Sequence, residues 1–132
     1  MSAAEEEGIV RVTGIDHVVL RVADVERSLA WYTSMLGLRP ERVEEWRRGD
    51  VLFPSVRVND ATIIDLLAAE PTGLNVDHVC FVLDDVDVDE LARSGRFETI
   101  GAPATLWGAR GEGRSLYVRD PDGNTVELRT YS

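Results

Sequence analysis

A chain of 132 residues with 44% hydrophobic and 29% charged side chains can bury one core but not two independent ones, so a single globular domain is expected. Its 24 acidic against 14 basic residues leave a formal charge of −10, a field that argues against nucleic acid and anionic membrane surfaces as partners. A lone cysteine cannot form an internal disulfide and fits a reducing cytoplasm, and no apolar run approaches the ~20 residues of a membrane-spanning helix.

Met1 to Glu7 are too acidic for a signal peptide, and residues 1–12 read as an acidic flexible tail ahead of a domain over 13–132. Ile15 to Val22 read as a strand, with His17, Val19 and Arg21 on one face and Val18, Leu20 and Val22 on the other. Asp24 then caps a helix whose stripe is Val25, Leu29, Tyr32 and Leu36, ended by Gly37. That stripe is expected on the strand face without the histidine. Arg42–Trp46 reads as a strand, and Val51–Val58 as another with Pro54 at a bulge or edge. Asn59-Asp60 turns the chain into a strand at Thr62–Ala68, where Ile63, Asp65 and Leu67 share a face. The segment around Pro71-Thr72-Gly73 links this module, about 13–70, to a second at about 75–132.

The second module repeats the first. Ile15-Asp16-His17-Val18 recurs as Val76-Asp77-His78-Val79, and Asp24-Val25 as Asp85-Val86, each 61 residues on. Val76–Leu83 is the matching strand, with His78, Cys80 and Val82 on one face, and a helix is expected from Val86 to about Ser94. The Gly- and Pro-containing stretch up to Gly113 reads as loop, with Trp107 to Gly113 a mobile loop near the site. Ser115–Arg119 is a strand, Asp120-Pro-Asp-Gly-Asn124 a hairpin turn, and Thr125–Tyr131 the closing strand with Glu127 between Val126 and Leu128. The class is α+β, two tandem βαβββ modules.

Each module thus offers a histidine on its first strand and a carboxylate on its last: His17 with Asp65, and His78 with Glu127. The spacings are 48 and 49 residues. Two imidazoles and two carboxylates converging between curved half-sheets suit Zn, Ni, Co, Mn or Fe(II). A second reading stands beside it, in which the histidines are hydrogen-bonded core residues, Asp16 and Asp77 turn residues, and Glu127 a solvated edge residue. Cys80 faces the same cavity and reads as a small core residue, and Trp46 and Trp107 are further candidates for its wall.

These residues carry a resemblance. Ile15-Asp-His-Val18, Asp24 through Trp31-Tyr32 to Leu36-Gly-Leu38, Val76-Asp-His-Val79 and Ser115-Leu-Tyr-Val-Arg-Asp-Pro-Asp-Gly-Asn-Thr-Val-Glu-Leu128 resemble the vicinal oxygen chelate superfamily. That superfamily includes glyoxalase I, fosfomycin-resistance proteins, methylmalonyl-CoA epimerase, extradiol dioxygenases and bleomycin-binding proteins. The resemblance implies an eight-stranded open, U-shaped barrel around a divalent transition metal, commonly in a homodimer. By position, His17, Asp65, His78 and Glu127 match the ligand set of glyoxalase I, except that a glutamate is usual at 65. Arg21 matches an arginine that binds the glutathione carboxylate, but Ala69 stands where a glutathione-binding asparagine is expected. Ser115 and Tyr117 match phosphonate-contacting positions of fosfomycin-resistance proteins, whereas Val19 replaces their threonine.

The resemblance implies a metal-dependent enzyme of the isomerase or lyase type. It would act on a small-molecule substrate with vicinal oxygens, removing a proton next to a metal-held carbonyl with Glu127 or Asp65 as the base. A binding or resistance protein without turnover is the alternative, and dioxygenase or fosfomycin-modifying activity fits less well.

Overall fold

The run that carries His17 forms β1 (Val12–Val22) and its repeat forms β5 (Val76–Leu83) in the computed structural model, which describes residues 8–70, 73–121 and 123–131. The expected tail and the linker residues Pro71 and Thr72 lie mostly or wholly outside that range. Asp24 caps α1 (Val25–Leu36) by accepting from the Arg27 N–H at 3.1 Å, and Gly37 ends it at φ 70°, a left-handed conformation that costs glycine little. Then follow β2 (Arg39–Glu41), α2 (Val43–Arg47), β3 (Ser55–Asn59) and β4 (Thr62–Ala68). The second module continues with α3 (Val88–Arg93), β6 (Glu98–Gly108), β7 (Gly111–Arg119) and β8 (Thr125–Thr130).

All eight strands share one open sheet, in the order β2-β3-β4-β1-β5-β8-β7-β6. β1 and β5 lie antiparallel at its centre. Outside each runs the last strand of its own module, parallel to it: β4 beside β1 and β8 beside β5. The order outward from the centre is therefore the same in both directions, as a duplicated βαβββ unit requires. Each module packs its helix on the sheet: Val25 and Leu29 of α1 meet Val56 and Leu66, and Val88 and Leu91 of α3 meet Leu83, Leu116, Val118 and Leu128. Leu20 and Val22 join the first cluster, so α1 does cover the β1 face opposite His17. Leu36, expected in the same stripe, is instead exposed at the helix end.

Five readings of the sequence are corrected. Arg42–Trp46 is not a strand: residues 43–47 form α2, where Val43 and Trp46, one turn apart, both pack toward the α1 cluster. The strand expected over 51–58 starts only at Ser55, because Pro54 has no N–H for a ladder. α3 starts at Val88, capped by Asp87 rather than Asp85. The stretch read as loop is β6, an edge strand on which Pro103 falls in a register irregularity between Ile100 and Ala104, where a missing donor is tolerated. Trp107 to Gly113 is accordingly no loose loop but a tight hairpin whose tip is Ala109-Arg110.

Candidate metal centre

Strand register assembles the centre. One row across the sheet runs Ile63, His17, Cys80, Glu127, Tyr117, and the next runs Ser55, Asp65, Val19, His78. Each row carries the histidine of one module and the carboxylate of the other. The residue between them is Cys80 in one row and Val19 in the other, equivalent positions of the duplication and both buried. A histidine and a carboxylate from the same module therefore never sit on the same row.

The β1–β5 ladder is irregular at three places, and the two between Ile15 and His17 and between Val19 and Leu20 shape the site. Ile15 pairs with Phe81 and His17 with Cys80, leaving Asp16 as an extra residue. Val19 pairs with His78 and Leu20 with Val76, leaving Asp77 as its counterpart. Such bulges re-aim side chains, and here each aspartate turns toward the histidine that follows it. His17 Nδ1 lies 2.7 Å from Asp16 Oδ2, and His78 Nδ1 2.9 Å from Asp77 Oδ2. An imidazole that donates Nδ1–H to a carboxylate keeps Nε2 for a metal. Both Nε2 atoms point at one oxygen, Glu127 Oε1, at 3.1 Å each, and the rings meet edge to face at 5.5 Å. Asp16 has no exposed surface; it accepts also from the Ala109 N–H at 3.0 Å and from the Tyr131 hydroxyl. Burial pushes its pKa up, but these partners, with His17 foremost, outweigh it and hold the carboxyl below its ordinary value.

The two carboxylates differ sharply. Glu127 Oε2 accepts from Ser115 Oγ at 2.7 Å and from Arg129 Nη2 at 3.0 Å, so both its oxygens are engaged. Burial disfavours its charge, yet the two imidazoles and Ser115 overcome this and hold the carboxyl well below the carboxylate range. Asp65 Oδ1 accepts from Ser55 Oγ at 2.5 Å, while Oδ2 stands 3.9 Å from His17 Nε2. Burial dominates there, and the Asp65 carboxyl is raised despite His17 and Ser55. Both histidines are raised above 6.5 because their carboxylate partners outweigh burial.

His17, His78 and Glu127 present ligand atoms that all lie within 4.8 Å of one another. Two imidazoles locked from behind and one carboxylate form a nitrogen and oxygen set suited to a divalent transition ion. Asp65 stands beside that set. Asp16, His17 and Cys80 also cluster, but the oxygens of Asp16 are already satisfied. Burial pushes the Cys80 thiol up to about 11, which leaves it un-ionised at neutral pH.

The centre opens into a cavity of about 380 Å³ whose wall includes Asp65, Tyr117, Trp107 and residues 50–53. Tyr117 lies edge-on to His78 at 5.2 Å. Trp46 packs beneath α1 instead. Ser115 is buried against Glu127. Arg21 lies in a separate groove, where its Nη2 meets Asp77 Oδ1 at 3.2 Å, so it buttresses the aspartate behind His78. Ser55, Arg129 and Arg42 are not singled out by the sequence, and Asp16 and Asp77 appear there as turn residues only in the second, structural reading. Repetition of the Asp-His pair was the available signal for the aspartates, and the two-residue alternation from Glu127 pointed at Arg129; nothing in the sequence marked Arg42.

Comparison with known proteins bears on the same stretch. The sequence model of the Glyoxalase/Bleomycin resistance protein/Dioxygenase superfamily matches residues 14–128. "Virulence protein STM3117" of Salmonella typhimurium is 32% identical over 124 residues, covering 89% of this chain and 83% of that protein. Methylmalonyl-CoA epimerase from Mycobacterium tuberculosis shares the fold at a TM-score of 0.65 and 20% identity, over 99% of this chain and 96% of that one. The Mn(II)-bound glyoxalase from Novosphingobium aromaticivorans does so at 0.66 and 22%, over 92% of this chain and 40% of that one.

Proposed function

The chain belongs to the Glyoxalase/Bleomycin resistance protein/Dioxygenase superfamily, and we propose that it is a metal-dependent enzyme of the isomerase or lyase type. Its substrate would be a small molecule with two neighbouring oxygens, from which it moves a proton next to a carbonyl. His17, His78 and Glu127 would hold the ion, for which Zn, Ni, Co, Mn and Fe(II) all suit the donors. When bound, such an ion supplies Lewis-acid polarisation of a chelating oxygen pair. That a glyoxalase sharing the fold is Mn(II)-bound supports a divalent ion for this chain.

One observation carries this reading: the two carboxylates are split into separate roles. Glu127 has both oxygens engaged and a strongly lowered pKa, which suits a ligand and makes it a weak base. Asp65 is buried, raised, and has one oxygen tied to Ser55 and the other turned toward the centre, which suits a general base. Asp65 Oδ2 takes the proton and returns it, while Ser55 Oγ–H keeps the carboxyl from rotating. Tyr117 forms the substrate wall, Ser115 orients Glu127, and Arg21 orients Asp77.

Elemental analysis of the purified protein, followed by deuterium exchange of 2-hydroxy and 2-oxo carbonyl compounds in D2O, tests the proposal. Asp65→Asn is expected to keep the metal and lose exchange, and His17→Ala to lose the metal. Exchange by Asp65→Asn at the wild-type rate would refute the role of Asp65. No uptake of any of these metals would leave a small-molecule binding protein as the better reading. The set of two histidines and one carboxylate also occurs in iron(II) oxygenases; dioxygen consumption with Fe(II) but not Zn(II) would select that chemistry.

We further propose that the chain forms a homodimer, with exposed Trp31 and Met35 on α1 as a contact surface and light scattering as the test. Among the described residues no helix is long and apolar enough to cross a membrane. A cytoplasmic location is proposed on the single unpaired cysteine, Cys80.

A further inference from the structure

Arg42 stands on the cavity wall with its charge uncommitted. Its guanidinium lies over the Trp107 ring, 4.1 Å from the centroid, and both side chains line the cavity that holds His17, His78 and Glu127. The neighbouring acids are taken: Glu41 by Arg57 at 2.5 Å, and Asp50, on the same wall, by Arg48 at 3.1 Å. Among the described residues no carboxylate pairs with Arg42. In a chain with a net charge of −10, a half-buried arginine without an acidic partner is unusual.

Its backbone adds a second, independent observation. Arg42 has φ 60°, the sole positive φ outside glycine among the described residues. A side chain with a Cβ is disfavoured in the left-handed region, where glycine or asparagine sits at lower cost. Such strain collects at functional positions. Here it holds the chain where β2 turns into α2 so that the arginine reaches Trp107 across the cavity.

We infer that Arg42, braced on Trp107, receives an anionic oxyacid group of the substrate. This rests on the metal-centre reading above and narrows it: the substrate carries a carboxylate or phosphonate-type group apart from its chelating oxygens. A planar guanidinium offers five N–H donors in a fork that matches two oxygens of such a group. Stacking on Trp107 orients the fork without using its donors. The overall acidity of the chain attracts cations at long range, but this part of the cavity wall has the opposite preference.

The test uses protein loaded with Ni(II) and three matched hydroxamates, each able to chelate through two neighbouring oxygens. Butyrohydroxamic acid ends in a methyl, succinic monohydroxamate in a carboxylate, and the third probe in a phosphonate. Calorimetric titration of the wild type is expected to favour an acid-terminated probe over the methyl-terminated one by about tenfold or more, the usual worth of a charge-assisted hydrogen bond. Comparing the two acidic probes identifies the preferred oxyacid. Arg42→Gly, which permits the same φ, should abolish the preference, read as the ratio of the affinities for the acid-terminated and methyl-terminated probes. Arg42→Lys should restore part of it. Equal affinities for all three probes in the wild type, or a preference that survives Arg42→Gly, would overturn the assignment while the metal centre stands. If Ni(II) does not load, the titration is run with whichever of Zn, Co, Mn and Fe(II) does; if none loads, the metal-centre reading fails and takes this one with it, and if the ion loads but no hydroxamate binds, the chelating-substrate reading fails together with this one.

Discussion

Replacing Arg129 with methionine separates polar clamping from packing. The arginine has no exposed surface. Its Nε and Nη2 bond Glu127 Oε2 at 3.3 and 3.0 Å, Nη1 bonds the Leu106 carbonyl at 3.0 Å and the Gly111 carbonyl at 3.4 Å, and Nη2 bonds the Trp107 carbonyl at 3.2 Å. One buried cation thus ties the Glu127 carboxylate to the end of the β6–β7 hairpin. Methionine is long and unbranched and fills most of the same space, so the cost is the polar groups it strands. Glu127 keeps Ser115 and both imidazoles, which limits its share. Of the three carbonyls, those left dry cost about 1–3 kcal/mol each, and breaking a buried pair from one side costs about 3–5 kcal/mol. These contributions overlap, so a total of about 4 kcal/mol is expected. With an unfolding entropy of about 2.1 cal/mol/K per residue over 132 residues, that lowers Tm by about 14 °C. Thermal melts followed by circular dichroism, with calorimetry to check two-state behaviour, measure it. Arg129→Lys should recover little, because one ammonium cannot reproduce the fork. A fall in Tm of less than about 3 °C for Arg129→Met would refute the clamp.

Gly108→Ala attacks the same clamp from the hairpin side. A Cβ there would stand 2.4 Å from Arg129 Nη1 and 2.6 Å from Asp16 Oδ2, and displacing those groups should cost about 1–3 kcal/mol, read by urea denaturation. Asp77→Asn removes the negative charge behind His78 and leaves one amide oxygen where Asp77 offers one to His78 and one to Arg21, so it should weaken metal affinity by about 10- to 100-fold; competition with a chelator measures this, with Tm little changed. Because their carboxylate partners raise the pKa of both histidines, each holds its Nε2 proton more tightly in the metal-free protein than a free imidazole would, and that proton must leave for Nε2 to bind. Affinity should therefore rise with pH, and titrations in two buffers of different ionisation enthalpy should show net proton release. The Cys80 thiol, pushed up to about 11 by burial, should alkylate with iodoacetamide far more slowly at pH 8 in the native protein than after unfolding, since too little thiolate is present.

What was legible in the sequence is what duplication preserves. His17 and His78 recur at one offset, and the closing strands bring Asp65 and Glu127 to equivalent places, so pairing the modules could be read without coordinates. Alternation also predicted which side of β1 would meet α1. It could not predict the bulges: a single inserted residue moves Asp16 and Asp77 out of the strict two-residue pattern and against the imidazoles. Nor could it predict β6, whose glycines and Pro103 resemble a loop until an edge position makes a missing N–H harmless. Arg129 was hidden because a charged residue near a terminus is usually solvated, and only the fold reveals that hairpin carbonyls and Glu127 surround it. The division of labour between Glu127 and Asp65 was least accessible of all. Both are carboxylates at equivalent positions, and the difference comes from neighbours that the duplication did not preserve. Tyr117 stands in register beside Glu127 where Ser55 stands beside Asp65, and Arg129 engages Glu127 alone. The shorter aspartate side chain is bonded to Ser55 and set back 3.9 Å from His17; under the proposed chemistry it would be free to act as a base, where a longer side chain could reach the proposed ligand set.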